Sequence, residues 1–142
     1  EEFPEIKFNS SGSACKWIDL HKFSNPNDII PKLKKDGFQV YSLVLNENAK
    51  TIYDIDWNKP SVIIVGNEHS GISENSQKLS TQNLYIPMEG VVESLNVSVA
   101  TAVTLYEAFR QRKLSGKYPN NNIDQKWLEK KLNTWIINRY DP

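Results

Sequence analysis

The stretch Val62-Ile-Ile-Val-Gly-Asn-Glu-His-Ser-Gly-Ile-Ser73 decides the fold, because a nearly all-apolar run ends abruptly in a turn of glycine and polar residues. A second run has the same character, Ile86-Pro-Met-Glu-Gly-Val-Val-Glu-Ser-Leu-Asn-Val-Ser-Val-Ala100. Each is typical of a buried strand that leads through a loop into a helix. In open α/β sheets such loops form a ligand crevice at the carboxyl ends of the strands. The two runs therefore predict an α/β fold, a mostly parallel sheet with helices on both faces.

Length and composition describe one globular domain. The chain has 142 residues, 39% of them hydrophobic, and no apolar run near the roughly 18 residues of a membrane span. Its single cysteine, Cys15, has no internal disulfide partner. That favours a reducing compartment and a cytoplasmic location, with an organelle as the alternative.

Charge is balanced, with 17 basic and 17 acidic residues. A dedicated nucleic-acid-binding domain is usually more basic than this. Two local clusters of basic residues are nevertheless candidates for contact with RNA, namely Lys32-Lys34-Lys35 and Arg110-Arg112-Lys113-Lys117. A plain solvated helix face is the simpler interpretation of both clusters.

Strands and helices are expected to alternate along the chain. Strands are predicted at residues 14–20, 38–45, 61–65 and 83–86, and the third should be covered on both faces of the sheet. Helices are predicted from the cluster at 24–28 to a stop at Gly37, from Ser73 to about residue 79, and over 95–114. Residues 46–59 should form a packed connection around the apolar side chains Ile52, Tyr53, Ile55 and Trp57.

The end of the chain is predicted to be a linker followed by an amphipathic helix. Its apolar face would hold Trp127, Leu128, Leu132, Trp135 and Ile136, after a capping-box-like start at Asn122 and Gln125. We therefore divide the chain into a main domain, 1–115, and a linker with a C-terminal helix packed on it, 116–142.

The first predicted helix contains a proline, Pro31. Proline should be tolerated only in the first turn of that helix.

The residues at the predicted crevice have both functional and structural interpretations. Gly66-Asn67-Glu68 with Gly71 would let a ligand approach the backbone, or would simply be a turn with a capping acid. Ser94 and Asn96 precede the long helix, where free amides favour an anionic or electron-rich group, although either residue can be the N-cap. His69 is a candidate base or a solvent-facing loop residue. The sequence has no pattern of metal ligands.

Together with Leu105-Tyr-Glu-Ala-Phe-Arg-Gln-Arg112, the two runs closely resemble the SpoU/TrmH branch of the SPOUT RNA methyltransferases. The resemblance extends over roughly residues 10–140 and includes Gly12, Ala14 and Trp17, similar to the family's Gly-Ala-x-x-Trp segment. The Pro-Met-x-Gly and Tyr-Glu-Ala-x-Arg-Gln-Arg details resemble the tRNA enzymes more than their ribosomal-RNA relatives.

The resemblance implies an enzyme that transfers a methyl group from S-adenosylmethionine to a ribose 2′-hydroxyl, typically of a guanosine in the tRNA D-loop, leaving S-adenosylhomocysteine. It also implies a deep C-terminal trefoil knot, a homodimer and no metal. The cofactor positions that it implies are Leu43, Val44, Leu45, Gly66, Asn67, Glu68, Gly71, Ile86, Pro87, Met88, Ser94 and Leu95. Glu68, Ser94 and Asn96 match the catalytic motif positions that organise the site and its substrate.

One departure from the family pattern bears on activity. The resemblance places an Asn and an essential Arg on a helix ahead of the Gly12 segment, and residues 1–8 do not supply them. The chain would then be a piece of a longer protein, or would lack that part for another reason. We predict that it binds the cofactor without transferring methyl groups.

Two main hypotheses follow. The chain is either the cofactor-binding and dimerising portion of a tRNA ribose methyltransferase, or a non-catalytic RNA-binding or scaffolding member of the same fold. A generic nucleotide-binding α/β domain is a third, weaker interpretation. Calorimetry with S-adenosylhomocysteine, NAD and ATP separates the third from the others.

Overall fold

The computed structural model describes residues 18–67, 70–90, 94–118 and 124–140, the side chains of 135–140 excepted. Its helices are α1 (Pro26–Lys35), α2 (Glu74–Leu79), α3 (Val97–Leu114) and α4 (Gln125–Tyr140), and its strands are β1 (Gln39–Leu43), β2 (Lys50–Thr51), β3 (Ser61–Ile64) and β4 (Gln82–Tyr85). A 3₁₀ turn, Ile52–Asp54, follows β2. The chain divides into two compact units, Phe23–Tyr118 and a smaller one made of Glu1–Lys22 with Pro119–Pro142. None of the described helices is long and apolar enough to span a membrane.

The four strands form one parallel sheet in the order β2-β4-β1-β3. In the register, Tyr41 of β1 lies opposite Ile63 of β3 and Gln82 of β4. Because all four strands run in the same direction, the carboxyl ends of β1, β3 and β4 lie along one edge. The predicted α/β class and parallel sheet are confirmed.

The two faces of the sheet are covered by different helices. Tyr41 and Leu84 face a core with Trp57, the 3₁₀ turn and Ala108 of α3. Side chains alternate along a strand, so Val40 and Ser42 face the opposite side, where α1 packs on β1 and on α2. There the Ser42 hydroxyl lies 2.6 Å from that of Ser80, at the end of α2.

Helix α1 begins and ends where local signals predict. The Asn25 side chain accepts a hydrogen bond from the Asn27 amide, 2.9 Å. At the other end Gly37 adopts φ +87°, and the Phe38 amide donates to the Leu33 carbonyl at 3.0 Å, which closes a Schellman motif. Pro31 lies in the second turn rather than the first, so that prediction is wrong. Since proline has no N–H, the helix forgoes one backbone hydrogen bond there and is held by its two caps.

Two predictions about strands need correction. Strand β3 is not fully buried on both faces as predicted, since its four residues, which alternate between the two faces, are all half-buried. The strand also lies at an edge of the described sheet. The connection at 46–59 packs around Ile52, Ile55 and Trp57 as predicted, but Tyr53 is exposed, so the prediction is wrong for that residue. The connection also contains β2, which pairs with β4. At two residues, β2 is too short to leave an alternating pattern. Of the strand expected at 14–20, residues 18–20 are not in a strand, and the remainder lies outside the described residues.

The later helices start at polar caps. Ser73 caps α2 and Asn96 caps α3, as the sequence indicates. The Asp124 carboxylate accepts from the Lys126 amide at 2.9 Å at the start of α4. Asn122, which was predicted to begin the helix, lies outside the described residues. Within the smaller unit, Lys131 of α4 pairs with Asp19.

A hydrogen-bonded network fastens the end of α3 to the connection before β3. The buried Glu107 carboxylate accepts two hydrogen bonds from Arg110, at 2.7 and 2.8 Å, and one from Gln111 at 2.8 Å. Gln111 in turn accepts from the Trp57 amide at 3.1 Å, and Arg112 donates to the Trp57 carbonyl at 2.7 Å. The hydrogen bond from Arg110 is the main cause of a lowered pKa at Glu107.

The lowered pKa predicts how Glu107→Gln changes the pH dependence of stability. A carboxyl with a lowered folded pKa stabilises the fold above its unfolded pKa, about 4.3, and that stabilisation is lost as the pH falls through the folded value. We expect the advantage of the unaltered chain over Glu107→Gln to shrink on acidification, as measured by urea unfolding across a pH series. Glu74→Gln is the control, since Glu74 is exposed in its pair with Lys78. Parallel curves for Glu107→Gln and the unaltered chain would contradict the prediction.

Candidate functional site

Two adjoining cavities lie at the carboxyl edge of the sheet, inside the larger unit. The first has a volume of about 190 Å³ and the second of about 450 Å³. Five residues line both cavities, so they form one continuous crevice: Leu43, Val44, Ser94, Leu95 and Ala100. The loops after β1, β3 and β4 and the start of α3 therefore meet where the sequence places the site.

The smaller cavity is walled mainly by apolar side chains. Its further lining residues are Leu45, Leu84, Tyr85, Ile86 and Met88. The Val44 amide donates to the Leu84 carbonyl at 2.9 Å, which holds the end of β1 against β4. A mostly apolar pocket with a few polar groups at its edge is typical of small-molecule sites.

The turn after β3 is very tight at Gly66. A Cβ atom placed on Gly66 would lie 2.2 Å from the carbonyl carbon of Gly71, far inside contact distance. The turn is closed by the Asn67 carbonyl, which accepts from the Gly71 amide at 3.1 Å, and by the Asn67 side chain, which accepts from the Ser70 amide at 2.6 Å. Gly71 itself has φ +64°, in the left-handed region that favours glycine. Both glycines are required by the turn.

The start of α3 forms the other wall of the larger cavity. Asn96, Val97 and Ala100 line it from the first turn of the helix. The Asn96 side-chain oxygen accepts from the Ser98 amide at 2.9 Å, so this residue is the N-cap. This hydrogen bond fixes the orientation of the Asn96 side chain beside the larger cavity. The side-chain NH₂ group of Asn96 is the group that can donate hydrogen bonds.

The predicted cofactor positions gather along this crevice. Ten of the twelve line one or both cavities. Pro87 lines neither, although Ile86 and Met88 on either side of it line the smaller one. Glu68 lies outside the described residues, as does His69. Of the predicted catalytic residues, Ser94 and Asn96 come together at the larger cavity.

Sequence reasoning missed several lining residues. Leu84 and Tyr85 lie at the carboxyl end of β4. Because the carboxyl ends of parallel strands share one edge of the sheet, the predicted strand at 83–86 could have identified them as lining residues. Ala100 follows Asn96 by one helical turn and so lies on the same face of α3. Val65, Ile72 and Val97 flank predicted positions and left no separate signal.

Comparison with known proteins identifies the family. A family model described as the SpoU rRNA Methylase family matches residues 3–106. The chain is similar to tRNA (guanosine(18)-2′-O)-methyltransferases of Aquifex aeolicus, with 37% identity over 84% of this chain and 57% of the relative, and of Thermus thermophilus, with 39% over 89% and 66%. The Escherichia coli enzyme of the same name is 37% identical over 80% of this chain and 50% of its own length.

Solved structures agree. The fold matches a structure described as the A. aeolicus TrmH/SpoU tRNA modifying enzyme, with a TM-score of 0.89 and 32% identity over 99% of this chain and 72% of that one. It also matches the SpoU methyltransferase AviRb from Streptomyces viridochromogenes in complex with AdoMet, with a TM-score of 0.54 and 28% identity over 62% and 36%. The chain spans between half and two thirds of the three curated relatives. With more than half of its residues matched by the family model, the chain belongs to the SpoU rRNA methylase family.

Proposed function

We propose that this chain is the cofactor-binding portion of an S-adenosylmethionine-dependent RNA 2′-O-ribose methyltransferase that acts on a guanosine in the tRNA D-loop. The observation that carries the proposal is the continuous crevice between the Gly66 turn and the start of α3, lined by residues of both family motifs. The names of the curated relatives support tRNA guanosine as the substrate. The AdoMet in the AviRb structure supports the cofactor.

The lining residues fit the chemistry of this cofactor. S-adenosylmethionine combines a flat adenine with a polar ribose and a charged amino-acid end. The apolar walls made by Leu43, Leu45 and Ile86 suit the adenine. The polar edge at Asn67, Ser94 and Asn96 suits the ribose and the amino-acid end. When bound, the cofactor supplies a methyl group that its sulfonium already activates, so no metal is required.

The chain's own residues would orient the reacting hydroxyl and manage its proton. A ribose hydroxyl is a poor nucleophile and must lose its proton as the methyl group moves, so a nearby acceptor is needed. We assign that organising role to Glu68, Ser94 and Asn96. Alignment of the hydroxyl with the methyl group supplies much of the rate gain, and the rigid cap at Asn96 favours it.

We also propose that the chain forms a homodimer through the small-residue face of α3. A third, open cavity of about 470 Å³ lies there, between Val65 and residues of α3. Its helical lining is Val97, Ser98, Thr101, Ala102 and Leu105, and Leu105 is an exposed apolar side chain. Small residues let a second helix approach closely.

The trefoil knot stays a prediction, because residues 91–93 lie outside the described part of the chain.

Calorimetry with Ala100→Leu tests the cofactor site. Ala100 lines both cavities, so a larger side chain should fill the crevice. We expect S-adenosylhomocysteine to bind the unaltered chain, NAD and ATP not to bind, and Ala100→Leu to lose about tenfold or more in affinity, since overfilling a packed site costs about 1–3 kcal/mol. Ala49→Leu, at a half-buried alanine outside both cavities, is the matched control. Binding of NAD or ATP in place of S-adenosylhomocysteine would contradict the proposal.

A further inference from the structure

Three aromatic side chains form an exposed surface at the end of α3, here called the aromatic platform. The ring centroids of Tyr106 and Phe109 are 5.8 Å apart, and those of Phe109 and Tyr118 are 5.3 Å apart. Tyr106 is 74% exposed, Phe109 40% and Tyr118 53%. Large rings in mutual contact are usually buried in a core, so an exposed row of them is unusual. None of the three rings lines the crevice.

The end of α3 is built to bring the third ring onto the other two. Tyr106 and Phe109 share a helix face because they are three residues apart. Gly116 then adopts φ +72°, and the Lys117 amide donates to the Arg112 carbonyl at 2.9 Å, which closes a Schellman motif. This reversal of the chain places Tyr118 against Phe109.

One lysine lies against the platform, in a segment rich in cations. The Lys113 ammonium lies 5.7 Å from the centre of the Phe109 ring. Residues 105–118 carry four cations, Arg110, Arg112, Lys113 and Lys117, and one carboxylate, Glu107, in a chain with no net charge. That carboxylate is buried and paired with Arg110, so these two charges largely offset each other and the net positive charge of the segment comes from Arg112, Lys113 and Lys117.

We propose that the aromatic platform binds an unpaired RNA segment, with bases stacked on the exposed rings and phosphates near Lys113 and its neighbouring cations. This inference rests on the proposed function and adds a second RNA contact away from the crevice. Base–aromatic stacking next to a cationic surface is the usual mode of binding single-stranded nucleic acid. A second copy of the chain is a poorer occupant, since a two-fold contact would set this cationic surface against itself.

The test uses fluorescence anisotropy with a labelled single-stranded oligouridine, and a 2-aminopurine version of it to report stacking. We expect Tyr106→Leu and Phe109→Leu each to weaken binding about 5- to 150-fold, the range for loss of one stacked base. Tyr106→Phe keeps the ring and should retain binding. Tyr53→Leu removes an exposed ring elsewhere, 56% exposed, and should have no effect. Lys113→Gln should lower the slope of log affinity against log salt by about 0.7.

The outcomes are distinct. Loss of RNA affinity and of 2-aminopurine quenching in the two leucine variants, with an unchanged sedimentation coefficient, supports the platform. The proposal would be overturned if the two leucine variants bound RNA as tightly as Tyr53→Leu, or if the unaltered chain bound no RNA. A lower sedimentation coefficient in the leucine variants would also overturn it, because it would assign the surface to contact between copies of the chain. Titration with S-adenosylhomocysteine runs in parallel. If the unaltered chain binds S-adenosylhomocysteine but its RNA binding does not depend on the rings, the platform alone is rejected. If the unaltered chain does not bind S-adenosylhomocysteine, the proposed function is rejected.

Discussion

Gly66→Ala is expected to distort the turn after β3 and to abolish measurable binding of S-adenosylhomocysteine. The new Cβ would lie 2.2 Å from the Gly71 carbonyl carbon and 2.5 Å from its oxygen, both of which are backbone atoms that cannot swing aside. The turn must open, and that breaks the hydrogen bond between the Gly71 amide and the Asn67 carbonyl. Asn67 and Gly71 both line the larger cavity, so the cavity changes shape with the turn. Calorimetry and urea unfolding measure the two effects.

The matched control is Gly37→Ala, at the end of α1. Gly37, unlike Gly66, has a positive φ, +87°, and a Cβ there would meet nothing within 4 Å. Its substitution should cost only the left-handed backbone strain, about 1 kcal/mol of stability, and leave cofactor affinity unchanged. If Gly66→Ala bound S-adenosylhomocysteine as tightly as Gly37→Ala, the crevice would not depend on the Gly66 turn.

Trp57→Ala is expected to be the most destabilising single substitution. The Trp57 side chain is 1% exposed, its ring meets that of Tyr41 edge-on at 5.2 Å between centroids, and its indole N–H donates to the Ile52 carbonyl at 2.8 Å. Removing such a side chain from a core costs about 3–5 kcal/mol. A domain stable by about 5–15 kcal/mol would lose much or all of its margin. Urea or thermal unfolding, followed by circular dichroism, gives the difference.

Two further variants separate burial from the hydrogen bond. Trp127→Ala makes the same change on α4, where the residue is 37% exposed, and should cost less than Trp57→Ala because less apolar surface is lost from the interior. Trp57→Phe keeps most of the apolar contact but leaves the Ile52 carbonyl without its donor, at a cost of about 1–3 kcal/mol. Equal destabilisation by Trp57→Ala and Trp127→Ala would show that the Trp57 core does not carry the fold.

Local signals in the sequence were sufficient for the helix ends and for most strands. Asn25, Ser73 and Asn96 each accept a hydrogen bond from an amide two or three residues further on, and Gly37 ends α1 with a positive φ. These interactions involve only neighbours in the chain, so residue type and spacing predict them. The exception is Pro31, which lies inside a helix that packs on β1 and α2, and a residue-by-residue rule takes no account of that packing.

The candidate site was predictable for a different reason. Both runs end in loops at the carboxyl ends of parallel strands, and such ends must share one edge of the sheet. The family resemblance then selected individual residues, ten of which line the crevice. It could not select Leu84, Tyr85 or Ala100, which are ordinary apolar residues made important by the neighbours they meet in space.

The sequence alone was enough to establish the α/β class, the caps and the position of the crevice, because each depends on contacts within a few residues or on a rule that all parallel sheets obey. The strand order β2-β4-β1-β3, the edge position of β3, the burial of Trp57 beneath α3 and the meeting of Tyr118 with Phe109 emerged only in the folded chain. Most of these features join residues distant in sequence, and their free energy comes from burial and hydrogen bonding between elements. No local pattern encodes which distant partner each element will find.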